Sequence, residues 1–198
     1  VTMGALASVK QKHDVAEKVE QLNQEAEIVF GSHLRQDFTI QAENPEQGAF
    51  YPPTVLVCKN PSQATTIHQI EAFGPVVTLM PYANLQELAN LVARGEGSLV
   101  ASVVRNADEN VEQIIAKIAP WHGRVHILDS ENAKESTGHG SPLPYLVHGG
   151  PGRAGGGEEL GGLRAVKHYM QRTAIQGSPK AMTQIGHSWT IGSEVFED

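Results

Sequence analysis

The sequence predicts an α/β fold built on a parallel sheet. Three observations carry this. Three β-prone apolar runs lie at Pro75 to Met80, Leu99 to Val104 and Arg124 to Leu128. Two amphipathic helical patterns fall between them. The links are short, so strand and helix alternate, which implies right-handed crossovers joining parallel strands.

The elements follow in order. Ser8-Val9-Lys10-Gln11 has the form of a capping box, and Val15, Val19, Leu22 and Ala26 follow at helical spacing, so a helix is expected from Ser8 to about Gln24. Ala26 to Phe30 reads as a short strand before Gly31. Residues 32 to 52 are polar and read mostly as loop, and Val55 to Cys58 as a buried strand. Asn84 to Glu87 caps a helix with Leu85, Leu88, Leu91 and Val92 on one face, ended by Gly95 and Gly97. Asn106 to Glu109 opens the next, carried by Val111, Ile114, Ile115 and Ile118 and stopped at Pro120.

Ser130 to Gly162 is a long glycine-rich loop with no apolar periodicity, a length usual for loops that are functional or disordered. A helix is expected from about Glu158 through Leu160, Leu163, Val166 and Tyr169. Arg172 to Gln176 reads as a terminal strand. Met182, Ile185 and Trp189 suggest a last short helix.

Composition narrows the function classes. The chain has 198 residues, 40% hydrophobic and 19% charged, which suits one globular domain. Net charge is −7, and Lys and Arg form no basic stripe, which argues against nucleic-acid binding. No apolar run reaches the roughly 20 residues of a membrane helix. The single cysteine, Cys58, makes no internal disulfide, which points to a reducing compartment, the cytoplasm. An opening on Val1 rather than Met suggests a piece of something longer.

Several motifs invite chemistry. Gly150 to Gly155 matches G-x-G-x-x-G. However, the preceding segment carries Pro142 and Pro144, Pro151 removes an amide, and no acidic residue follows in a strand context. A loop that closes over or packs under a site is the better reading. His122 and His126 have metal-pair spacing but share no helix, so no metal site is expected. Cys58 sits beside Lys59 in an apolar strand, where a cysteine is usually an inert hydrophobe. Glu71-Ala72-Phe73-Gly74-Pro75 is either a plain turn or a clamp. A carboxylate accepts two hydrogen bonds from vicinal ribose hydroxyls, and an aromatic ring flanks a nicotinamide.

Four segments in order resemble the aldehyde dehydrogenase superfamily: Met3 to Leu6 ("M-G-P-L"), Gly48 to Leu56 ("G-x-F-x-x-P-T-[VI]-[LF]"), Ile70 to Val76 ("E-x-F-G-P-V") and Leu99 to Val103 ("G-L-x-A-S-V"). Ala133 to Pro144 and Val147 to Gly162 resemble, more narrowly, the dehydrogenase half of the bifunctional ring-opening enzymes of phenylacetate catabolism. The resemblance implies an aldehyde dehydrogenase catalytic-domain fragment, residues 1–170, followed by an oligomerisation strand and linker, 171–198. It implies that Glu71 and Phe73 bind the nicotinamide end of NADP or NAD, held mainly by an upstream domain. His148, Gly149 and Gly150 would line the substrate entrance, and the substrate would be a CoA-linked aldehyde. It implies a homo-oligomer. No catalytic residue falls in this chain, because the family's nucleophilic cysteine and general-base glutamate lie upstream, and the piece alone would be inactive. Two other readings stay open: a non-catalytic α/β binding module, and a thiol enzyme using Cys58.

Overall fold

A computed structural model describes residues 3–31, 39–106, 108–136, 149–155, 170 and 173–194. It divides into two compact units, Val1–Leu91 and Val92–Asp198, with the boundary inside a helix. The expected α/β character holds, but the parallel sheet is not continuous through the three central strands. The described strands form two three-stranded sheets.

In the first unit, α1 (Val9–Leu22) starts as its sequence requires: the Gln11 amide donates to Ser8 Oγ at 3.1 Å. Its apolar face, Val15, Val19 and Leu22, is buried. β1 (Glu27–Phe30) pairs antiparallel with β2 (Thr54–Val57), and β2 pairs parallel with β3 (Val76–Leu79). Along β2, Thr54 and Leu56 are fully buried while Val55 and Val57 are half-buried, the alternation of a strand packed on one face. A single helical turn, α2 (Thr66–Gln69), was not expected. Its start is capped from a distance: the Thr65 and Ile67 amides donate to the Glu25 carboxylate at 3.0 and 3.1 Å. Desolvation pushes this carboxyl up, but those amides outweigh it and hold it below the usual range.

α3 (Leu85–Arg94) starts as predicted, Asn84 Oδ1 accepting from the Glu87 amide at 3.0 Å. In the second unit β5 (His122–Leu128) is the central strand, parallel to β4 (Ser98–Val104) on one side and to β6 (Ala174–Gln176) on the other. The helix before β5 begins later than expected. Asn106 to Glu109 close a turn, and α4 runs from Glu112 to Ile118. Its Ile115 and Ile118 pack with Val125 and Ile127 of β5 and Ala181 of α5 (Pro179–Gly186). Trp189 lies outside that last helix, because His187 takes a left-handed conformation (φ 48°) and ends it. The helix expected from Glu158 falls outside the described residues, as does Arg172.

A buried ion pair ties these elements together. Arg105, just past β4, donates from Nε and Nη2 to Asp129 Oδ2 at 3.1 and 3.0 Å, and both side chains are almost wholly buried. Ser178, the N-cap of α5, donates to the same oxygen at 3.0 Å, and the Glu131 amide to Oδ1 at 3.1 Å. Burial alone would push the Asp129 carboxyl up. The Arg105, Ser178 and Glu131 donors prevail and hold it below the ordinary aspartate value.

Asp129→Asn is therefore expected to cost about 3–5 kcal/mol, because it leaves a buried guanidinium without its counter-charge. A depressed native pKa stabilises the fold fully above the ordinary aspartate value, about 3.9, and that contribution is lost as pH falls through the native value. Urea titrations between pH 2 and 7 should show this acid-side slope in the native sequence and its reduction in Asp129→Asn.

Candidate functional site

A cleft of about 560 Å³ opens in the first unit, lined by α1, α2, β3 and the segment joining α2 to β3. Both clamp candidates stand on its wall. Phe73 is 67% exposed, high for a phenylalanine, and Glu71 is exposed. Among the described residues the Glu71 carboxylate makes no hydrogen bond or ion pair, so both of its oxygens are open to a ligand.

The backbone beneath these two side chains is closed on itself. The Gly74 amide donates to Ala72 O at 2.7 Å and the Val76 amide to Gly74 O at 2.8 Å, two successive tight turns. Gly74 packs onto α1, where a Cβ would come within 2.9 Å of Val15. Gln11 Nε2 donates to Phe73 O at 2.6 Å. Sequence reasoning assigned Gln11 only to the cap of α1. Its long reach, across 62 residues, had no local signal.

The loop candidates divide. His148 lies outside the described residues. Gly149 and Gly150 pack backbone to backbone against the second unit's sheet. A Cβ on Gly123 would stand 1.7 Å from Gly149 O, and one on Gly150 2.4 Å from Ser98 O. The G-x-G-x-x-G match forms a 3₁₀ turn, Gly152–Ala154. The amides of Gly150, Arg153, Ala154 and Gly155 all donate to carbonyls within the chain, so none of these four is left to cradle a phosphate.

Cys58 is 2% exposed within an apolar cluster that includes Leu22, Leu56 and Ile67. In this position the thiol is not presented to a substrate, as the inert-hydrophobe reading of the strand expects. His122 and His126 occupy one face of β5. The His122 ring donates to Ile118 O at 2.8 Å, and His126 Nε2 pairs with Ser136 Oγ at 3.1 Å. Among the described residues no group of three or more His, Cys, Asp or Glu is placed to hold a metal ion, and no helix is long and apolar enough to cross a membrane.

Comparison with known proteins gives this geometry its context. The aldehyde dehydrogenase family model matches residues 1–175. The chain belongs to the aldehyde dehydrogenase family. It is 50% identical over 197 residues to the protein named MaoC of Klebsiella aerogenes, covering 99% of this chain and 56% of that one. It is 38% identical over 151 residues to the 3,4-dehydroadipyl-CoA semialdehyde dehydrogenase of Aromatoleum evansii, covering 76% of this chain and 29% of that enzyme. The fold matches the succinic semialdehyde dehydrogenase of Streptococcus pyogenes, solved with NADP+, at a TM-score of 0.59 and 24% identity, over 81% of this chain and 30% of that one. The chain thus spans about half the length of the first of these family members and under a third of the other two.

The glycine packing gives a direct test. Gly123→Ala sets a methyl against the Gly149 carbonyl with no flexible atom to yield, an overpacking cost of about 3 kcal/mol. Gly155→Ala meets nothing within 4 Å and suffers only from its positive-φ backbone (φ 71°, ψ 135°), a strain of about 1–3 kcal/mol with no clash added to it. Thermal unfolding of the two variants should rank them in that order.

Proposed function

We propose that this chain is the C-terminal part of the catalytic region of an NAD(P)-dependent aldehyde dehydrogenase that oxidises a CoA-linked semialdehyde to its carboxylate, in phenylacetate degradation. Residues 1–170 belong to the catalytic domain, and 171–198 form an oligomerisation strand and linker used in a homo-oligomer. The observation that carries the proposal is the pairing of an unengaged carboxylate, Glu71, with an exposed ring, Phe73, on one cleft wall. Family membership and likeness to a CoA-semialdehyde dehydrogenase support the substrate class.

The residues present fit the nicotinamide end of the cofactor. Glu71 offers two acceptor oxygens to the vicinal ribose hydroxyls, and Phe73 an apolar face to the ring. When bound, the cofactor supplies the hydride acceptor. This chain's part is to orient it, since holding reactants in line removes much of an entropic barrier. The loop at His148, Gly149 and Gly150 lines the substrate entrance, with the two glycines anchoring its base on the sheet. The nucleophilic cysteine and the general base come from residues outside this chain, as does most of the dinucleotide site.

In the longer protein, Glu71→Gln weakens charge-assisted hydrogen bonds worth about 1.5–3 kcal/mol, so the KM for the dinucleotide should rise about 10- to 100-fold. A CoA-linked semialdehyde should outcompete the free aldehyde. The 198-residue chain alone should reduce no NADP or NAD with a reactive aldehyde. Reduction that disappears in Cys58→Ala would overturn the assignment of the nucleophile to another segment.

A further inference from the structure

We infer that the guanidinium of Arg124 is a carboxylate-binding site, on the face of the second unit's sheet that turns away from its apolar core.

Burial without a partner carries the inference. Arg124 lies on β5, the central strand, and is 6% exposed. Val125 and Ile127 enter the apolar core, so Arg124 points to the other face. Its Nε is sealed from solvent and bonds nothing. Among the described residues the guanidinium makes no hydrogen bond and no ion pair. Nη1 and Nη2 are not sealed as Nε is, so the forked end still meets solvent. An arginine stays charged, and a charge held out of water without a counter-charge is strongly unfavourable.

The strands around it supply no counter-charge. Val100 of β4 and Ala174 of β6 lie beside Arg124 in register. Ser98, Ser102 and Gln176 follow on the same face, all uncharged. His122 and His126, two residues to either side on β5, bring no negative charge and are bonded to Ile118 O and Ser136 Oγ. The same sheet treats its other buried arginine differently: Arg105 has Asp129.

The free edge of Arg124 is the Nη1–Nη2 fork, whose two parallel donors match the two oxygens of a carboxylate. A carboxylate is planar and lies in the plane of the fork, which suits so narrow an opening better than a tetrahedral phosphate. It is either a free acid or an Asp or Glu side chain of the longer protein, and the chemistry at Arg124 is the same for both.

Thermal unfolding in sodium acetate tests this, with sodium chloride at equal ionic strength as the control. In the 198-residue chain the acetate effect should saturate, and at about ten times the fitted Kd the melting temperature should stand about 3–5 °C higher. Arg124→Met, similar in length and uncharged, should melt above the native sequence in chloride and show no acetate shift. Arg124→Lys keeps the charge, loses the fork and should keep less than half of the shift. In the longer protein, a shift equal to that of the chain assigns the site to a free acid. No shift there, with a melting temperature lowered by Arg124→Met, assigns it to a carboxylate side chain of that protein. The inference is overturned if acetate shifts the native chain and Arg124→Met alike, or shifts neither. It is also overturned if Arg124→Met melts below the native chain in chloride, if Arg124→Lys keeps the whole shift, or if phosphate gives the shift and acetate does not.

Discussion

The unmade hydrogen bonds at helix starts organise both units of this chain. A helix leaves its first amides without partners, and side chains have to supply them. Here most of the side chains that do so also hold a second element. Gln11 serves Ala7 and the Phe73 carbonyl. Glu25, just past the end of α1, supplies the start of α2. Glu87 reaches back to the Ala83 amide at 2.8 Å and accepts from Ser62 at the same distance. Ser178 accepts from the Ala181 amide at the start of α5 and donates to Asp129. A cap that is also a tie costs little extra side-chain entropy, since one ordered rotamer makes two bonds.

The Arg105–Asp129 pair shows what such sharing achieves in a desolvated place. A buried ion pair repays its desolvation only when its remaining lone pairs and protons are used. Asp129 receives two guanidinium donors, a hydroxyl and an amide. Arg105 has a further donor, Nη1, directed at the Glu109 carbonyl and at Gln184 Oε1 of α5. The ends of β4 and β5, the turn before α4 and the start and body of α5 therefore meet on two charges.

What was visible in the sequence divides along the range of each interaction. Ser8 and Asn84 were legible as caps because their partners lie three residues on. The strands at β2 to β5 were legible from β-prone apolar runs. The pairing of β3 with β2 was not, because an apolar run specifies burial and not a neighbour. The helix α2 was missed because four residues show no period and its cap comes from Glu25, 40 residues before Thr65. Arg105 and Asp129 look like ordinary loop charges until the chain folds them together. At the site, Glu71 and Phe73 stood out only through the resemblance of their surrounding motif, since on spacing alone they make a plain turn.

The exposure of Phe73 does not come from a loosely held backbone. A mobile loop leaves its backbone groups to water. Here the Gly74 and Val76 amides and the Ala72, Phe73 and Gly74 carbonyls are engaged within the protein, and Gly74 has no room for a side chain. Within this segment Glu71 and Phe73 are the exposed residues, and Ala72 and Gly74 are half-buried. A fixed backbone presenting a bare ring and an unengaged carboxylate gains nothing for the stability of this chain. It does lower the entropy lost when a ligand with an apolar face and paired hydroxyls is held there. An engaged backbone below two exposed side chains is what the clamp proposed for Glu71 and Phe73 requires, and a plain turn does not require it.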